Sequence, residues 1–154
     1  MIIVVVGKES PLLREAAGPA EVRFVDSLDD VSDVMVTAPR TPSTVGVFDR
    51  DAFARMKPSA YFICISRGGI ADDEALLDAL RTGQIAGAGL DAHGVEPLPP
   101  DSPFWSLPNV IVTPHNGATS TGTRRRGQEI VAENIRRFVA GEVLHNVVDK
   151  SAGY

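Results

Sequence analysis

The sequence predicts an α/β chain built on a doubly wound, Rossmann-like parallel sheet with helices on both faces. Three observations carry that expectation. Short apolar runs recur at residues 2–6, 22–25, 34–37, 61–65, 86–90 and 110–112, separated by segments with helical character. The runs are continuously apolar rather than alternating, as in strands buried on both faces of a parallel sheet. Glycine and proline fall between the runs and rarely inside them.

Taken in order, Ile2-Ile3-Val4-Val5-Val6 is a β-branched opening strand, broken by Gly7. Residues 11–17 suit a short helix stopped by Gly18-Pro19, and residues 22–25 a second strand. Residues 27–30 can form one turn before the strand 34–37, after which Pro39, Pro42 and Gly46 mark a loop. A helix over 49–56 is capped by Asp49 and ends near Lys57-Pro58. The strand 61–65 leads to a turn at Arg67-Gly68-Gly69. Asp72 or Asp73 then caps a helix with Leu76, Leu77 and Leu80 on one face and Gly83 as its stop. The strand 86–90 consists almost entirely of small residues, which suits close helix–sheet packing. Residues 94–108 hold five prolines and form a long irregular connection, expected to be anchored to the core by Phe104 and Trp105. After the strand 110–112, a long helix over 121–140 carries Ile130, Val131, Ile135 and Phe138 on its apolar side, with Gly141 as its stop.

Composition narrows the function classes. The 154 residues suffice for one domain with a core and are too few for two full α/β domains. A net charge of −5 points away from nucleic acid and anionic membranes, and no apolar stretch reaches membrane-spanning length. Arg124-Arg125-Arg126 is a local exception, expected to be a solvated or domain-facing patch. Met1–Val6 is too short and lacks the basic start of a signal peptide. The lone cysteine, Cys64, excludes an intrachain disulfide and a cysteine metal cluster. It fits a reducing cytoplasm and a small buried side chain. No metal site is expected.

Three residues carry candidate chemistry: Arg67 in Ile-Ser-Arg-Gly-Gly, Glu96 in Val-Glu-Pro-Leu-Pro and His115 in Thr-Pro-His-Asn-Gly. Each follows a strand candidate, and ligands of open parallel sheets bind beyond the carboxyl ends of the strands. A cation, a carboxylate and an imidazole at one edge suit reduction of a 2-keto acid. Arginine can fork onto the substrate carboxylate, histidine can protonate the ketone oxygen, and glutamate can orient and charge-pair the imidazole. Taken one at a time, the same residues are a surface-turn arginine, a loop Glu-Pro and a capping or packing histidine.

Seven stretches in order resemble the C-terminal half of the D-isomer-specific 2-hydroxyacid dehydrogenases, with the glyoxylate/hydroxypyruvate reductase-like members nearest. They are Pro39-Arg-Thr-Pro-Ser-Thr44, Met56-Lys-Pro-Ser-Ala-Tyr61, Ile65-Ser-Arg-Gly-Gly-Ile70, Gly87-Ala-Gly-Leu-Asp91, Val95-Glu-Pro-Leu-Pro99, Asn109-Val-Ile-Val-Thr-Pro-His115 and Asn146-Val-Val-Asp149. The resemblance implies that Arg67 binds the substrate carboxylate and keto oxygen, that His115 donates the proton and that Glu96 pairs with it. It implies NAD or NADP as cofactor, with Asp91 at the nicotinamide carboxamide and Pro39, Thr44, Ser66, Arg67 and Gly117 at the cofactor too. A small 2-keto or 2-hydroxy acid is the implied partner, and a homodimer is possible. His93 stands where the family usually has a bulky apolar residue; it can face the nicotinamide pocket or pack as a neutral ring.

The chain departs from the family pattern in two ways. It is about half the expected length, and the Gly-x-Gly-x-x-Gly fingerprint that lets a helix N-terminus approach the cofactor diphosphate is absent, with only Gly7 after the first strand. Residues 1–38 can be the second strand onward of the dinucleotide domain, with Lys8 near a 2′-phosphate. Alternatively they are an opening βαβ unit that completes a sheet of order 2-1-3-4-5-6. The shortened chain is expected to keep the catalytic residues but to bind cofactor weakly. A catalytically silent fragment serving as a binding or assembly module is the alternative.

Overall fold

The computed structural model describes residues 33–151 and, before them, the backbone of two strands. The expected helix at 11–17 and turn at 27–30 lie outside the described residues. The strands are β1 (Ile2–Val6), β2 (Glu21–Val25), β3 (Val34–Val36), β4 (Tyr61–Cys64), β5 (Gly87–Leu90) and β6 (Val110–Val112). The helices are α1 (Arg50–Ala54), α2 (Asp73–Thr82) and α3 (Thr121–Ala140), with a 3-10 turn at Pro103–Ser106. Two compact units result, Met1–His115 and Asn116–Tyr154.

In the first unit every strand pair is parallel. β3, β4, β5 and β6 form one ladder in that order, and β1 pairs with β2. β1 runs beside β3, but the hydrogen-bonded ladder stops at β3 rather than continuing through β1. Parallel neighbours need crossovers, and the stretches that carry α1 and α2 supply them for β3–β4 and β4–β5.

Helix boundaries follow local chemistry. The Asp49 and Asp72 carboxylates accept from the N–H groups of Ala52 and Ala75, and Gly83 ends α2 in the left-handed conformation. Both helices cover the sheet face that carries Phe62 and Cys64. Phe48, Phe53 and Phe62 form a ring cluster with centroids 5.1–6.3 Å apart in tilted and edge-on arrangements. Leu76, Ile70 and Ile85 close this core. On the other side of the ladder, Met35, Tyr61 and Ile111 are exposed.

One expectation needs correction. Phe104 is buried, but Trp105 is 53 % exposed and instead donates its indole N–H to the Pro99 carbonyl at 2.8 Å. An indole with a polar edge satisfies that edge in the loop and leaves its ring outside. In the second unit, α3 is capped by Ser120 and ends at Gly141, yet none of its residues is buried. Ile130, Val131, Ile135 and Phe138, the apolar side expected of this helix, are all exposed.

Candidate active site

Parallel strands bring their carboxyl ends to one edge, and the candidate residues follow from that. Asp91 directly follows β5, Arg67 comes three residues after β4, and His115 three residues after β6. The Pro-rich connection after β5 keeps Glu96 at the same edge, in contact with His115.

His115 is the centre of the cluster. Its Nδ1 lies 2.8 Å from Glu96 Oε2 and 3.0 Å from Oε1. A carboxylate can only accept, so Nδ1 carries the proton and Nε2 is left facing Arg67 Nη1 at 3.4 Å. His115 has φ +53, a left-handed backbone that few non-glycine residues adopt and that turns the ring toward the edge. The two paired side chains are about one third exposed (35 % and 37 %), so reactants can reach them. Arg67 Nη1 also donates to the Ser66 carbonyl at 2.7 Å, which folds the guanidinium back over its own turn.

Glu96 is held below the usual glutamate range, first by the backbone N–H of His93 at 2.9 Å and then by His115. Asp91 is buried at 5 % exposure and accepts from Thr113 Oγ1. Beside the pair opens a cleft of about 510 Å³, lined by Glu96 and His115 with His93, Leu98, Trp105 and Val112.

Arg67, Glu96 and His115 are thus brought together as the sequence suggests, with Asp91 joined through Thr113. The Pro39–Thr44 loop forms its own turn, in which Thr44 Oγ1 donates to the Pro39 carbonyl and accepts from Thr41 N–H, each at 2.7 Å. Ser66 borders Cys64, their Oγ and Sγ 4.0 Å apart, and contributes its carbonyl to Arg67. Gly117 belongs to the second unit. Cys64 is buried, and its thiol donates to the Arg67 carbonyl at 3.6 Å. Among the described residues no group of histidine, cysteine and acidic side chains could hold a metal.

One participant escaped the sequence reading. Thr113 links β6 to Asp91, and its place two residues before His115 at a strand end was the available signal. His93 is buried as a packing ring would be, yet its Nε2 also donates to the Thr113 carbonyl at 3.0 Å.

A parallel sheet with polar side chains gathered at its carboxyl edge is the arrangement of nucleotide-binding α/β domains. The sequence model described as "D-isomer specific 2-hydroxyacid dehydrogenase, NAD binding domain" matches residues 3–117, and the chain belongs to that family. It is 42 % identical to glyoxylate/hydroxypyruvate reductase B of Pectobacterium carotovorum over 153 residues, covering 93 % of this chain and 48 % of that protein. It is 39 % identical to D-3-phosphoglycerate dehydrogenase of Mycobacterium leprae over 144 residues, covering 94 % of this chain and 27 % of that protein. The chain therefore spans between about a quarter and a half of the length of these two relatives. Among solved structures, the NADPH-dependent glyoxylate/hydroxypyruvate reductase of Sinorhizobium meliloti in complex with NADP and sulfate superposes with a TM-score of 0.86. The two sequences are 31 % identical, and the match covers 99 % of this chain and 57 % of that one. A D-isomer specific 2-hydroxyacid dehydrogenase of Xanthobacter autotrophicus, in complex with NADPH and MES, gives a TM-score of 0.83 at 33 % identity, covering 100 % and 73 %.

Proposed function

We propose that this chain carries the catalytic edge of a D-2-hydroxyacid dehydrogenase, which transfers hydride between NAD or NADP and a small 2-keto or 2-hydroxy acid. The observation that carries this reading is His115 held between Glu96 at Nδ1 and Arg67 at Nε2. When bound, the nicotinamide supplies or takes up the hydride. Arg67 holds the substrate carboxylate and its keto oxygen. His115 delivers a proton from Nε2 to the carbonyl oxygen in reduction and removes it from the hydroxyl in oxidation. Glu96 keeps the ring oriented and pairs with its charge when both nitrogens are protonated.

The nicotinamide half of the cofactor fits the residues present. Asp91, a buried carboxylate at a strand end, is an acceptor suited to a carboxamide N–H, and its orientation is braced by Thr113. Pro39 and Thr44 would border the ribose and diphosphate, with Ser66 and Arg67 nearby. The diphosphate half fits less well, because a single glycine follows β1 in place of the fingerprint. Weak cofactor binding is the consequence. A cytoplasmic location and a homodimer belong to the same reading. The free, buried Cys64 supports the first, and native mass measures the second.

Titration of the chain with NADH and NADPH, followed by nicotinamide fluorescence, tests the reading with Asp91→Ala as control. Saturable binding that the variant loses supports an assembled nicotinamide half-site. No binding at millimolar cofactor would leave the chain as a silent binding or assembly module.

A further inference from the structure

We propose that His93 is a positioning residue that keeps Glu96 and His115 in register by bracing the strand end that bears the histidine against the loop that bears the glutamate. The inference rests on the reading of Glu96 and His115 as the acid–base pair.

His93 touches all three segments that build the site. Its backbone N–H donates to Glu96 Oε1 at 2.9 Å, the oxygen that also lies 3.0 Å from His115 Nδ1. Its ring Nε2 lies 3.0 Å from the carbonyl of Thr113, two residues before His115. A carbonyl only accepts, so Nε2 carries the proton and the ring acts as a donor. Thr113 is thereby held at its carbonyl by His93, at its N–H by the Leu90 carbonyl at 3.0 Å and through its hydroxyl by Asp91. The third segment is the Arg67 turn. A Cβ on Gly68 would come within 1.8 Å of the His93 carbonyl oxygen, so this glycine lets the turn sit directly on His93.

The surroundings suit a fixed ring. His93 is 8 % exposed, with Asp73 of α2 and Glu96 of its own loop as the carboxylates that face it. Burial pushes the Asp73 carboxyl up, the neighbouring Asp72 adds to that, and His93 draws it down. A phenyl ring here would fill a similar volume but leave the Thr113 carbonyl without this donor. The bracing is therefore a property of the imidazole, and apolar bulk alone does not supply it.

NMR of the full chain, with labelled histidine rings and glutamate carboxyls, tests this without cofactor or turnover. The wild-type His93 ring is expected as the Nε2–H tautomer, with Glu96 titrating below the usual glutamate range. His93→Gln, whose amide can still donate to Thr113, should keep the low Glu96 midpoint. His93→Phe should return that midpoint toward the ordinary value and weaken the His115 Nδ1–H signal through exchange. An Nδ1–H tautomer in the wild type, or a Phe variant that preserves both signatures, would overturn the proposal. Should the Phe variant not fold, the wild-type tautomer and the Gln variant decide it. A chain that binds no nicotinamide leaves this inference intact, whereas a wild-type Glu96 not paired with His115 sinks both.

Discussion

At the scale of single residues, the site depends on close backbone approach as much as on charged groups. Gly68 is the sharpest case, since any side chain there meets backbone rather than a flexible side-chain tip. Gly68→Ala should destabilise the fold by about 1–3 kcal/mol, the usual range for overpacking. Gly89→Ala is the matched control: its Cβ would meet Ile63 at an ordinary 3.9 Å, so a change within about 0.5 kcal/mol is expected. Urea denaturation of both variants checks the contrast, and equal losses would show that Gly68 is not a packing constraint. Glu96 and His115 were legible because glutamate and histidine in those motifs name their own chemistry. Thr113 was not, because a threonine at a strand end announces nothing until its hydroxyl is seen on Asp91 and its carbonyl on His93.

At the scale of elements, caps and charge pairs set the helices. Asp72 accepts from Ala75 N–H at 2.9 Å at the start of α2. Asp72→Ala should cost about 0.5–2 kcal/mol, read by thermal or chemical unfolding. In α3, Glu133 pairs with Arg136 and Arg137, which hold its carboxyl down to about 2 from an ordinary 4.5. A depressed carboxylate contributes stability that is complete above its unfolded value and lost as pH falls through the folded one. The α3 backbone shifts should therefore lose helical character between pH 4.5 and about 2 in the wild type. Glu133→Gln should be less helical at neutral pH and flatter across that window. Parallel profiles for the two would mean the pairing contributes nothing, as is common for exposed ion pairs. The tail after α3 is tied back to the helix within its own unit, where Asn134 exchanges two hydrogen bonds with the backbone of His145.

At the scale of the whole molecule, the Arg67–Glu96–His115 cluster stands open to water. Arg67, Glu96 and His115 are all exposed, and the Pectobacterium and Mycobacterium relatives each carry at least as much sequence again as this chain covers. Closing a site excludes water, strengthens its electrostatics and completes its geometry. Turnover of a small 2-keto acid with NADH or NADPH should accordingly be poor or undetectable for this chain alone. Steady-state assays against a longer relative measure it, and comparable turnover would refute the expectation.

The sequence by itself determined the alternation of strands and helices, the cap at Asp49, a cap at Asp72 or Asp73, the stops at Gly83 and Gly141, and the delivery of Arg67, Glu96 and His115 to one edge. These are local properties: apolar runs, cap side chains and glycines act within a few residues, and parallel strands send their carboxyl ends the same way. Only the tertiary structure decided that Trp105 turns outward, that α3 buries none of its stripe and that the ladder breaks between β1 and β3. It alone also set His93 as the junction between Thr113, Glu96 and Gly68. Those outcomes depend on which surfaces and backbone groups meet across the fold, and no stretch of sequence carries its own partner.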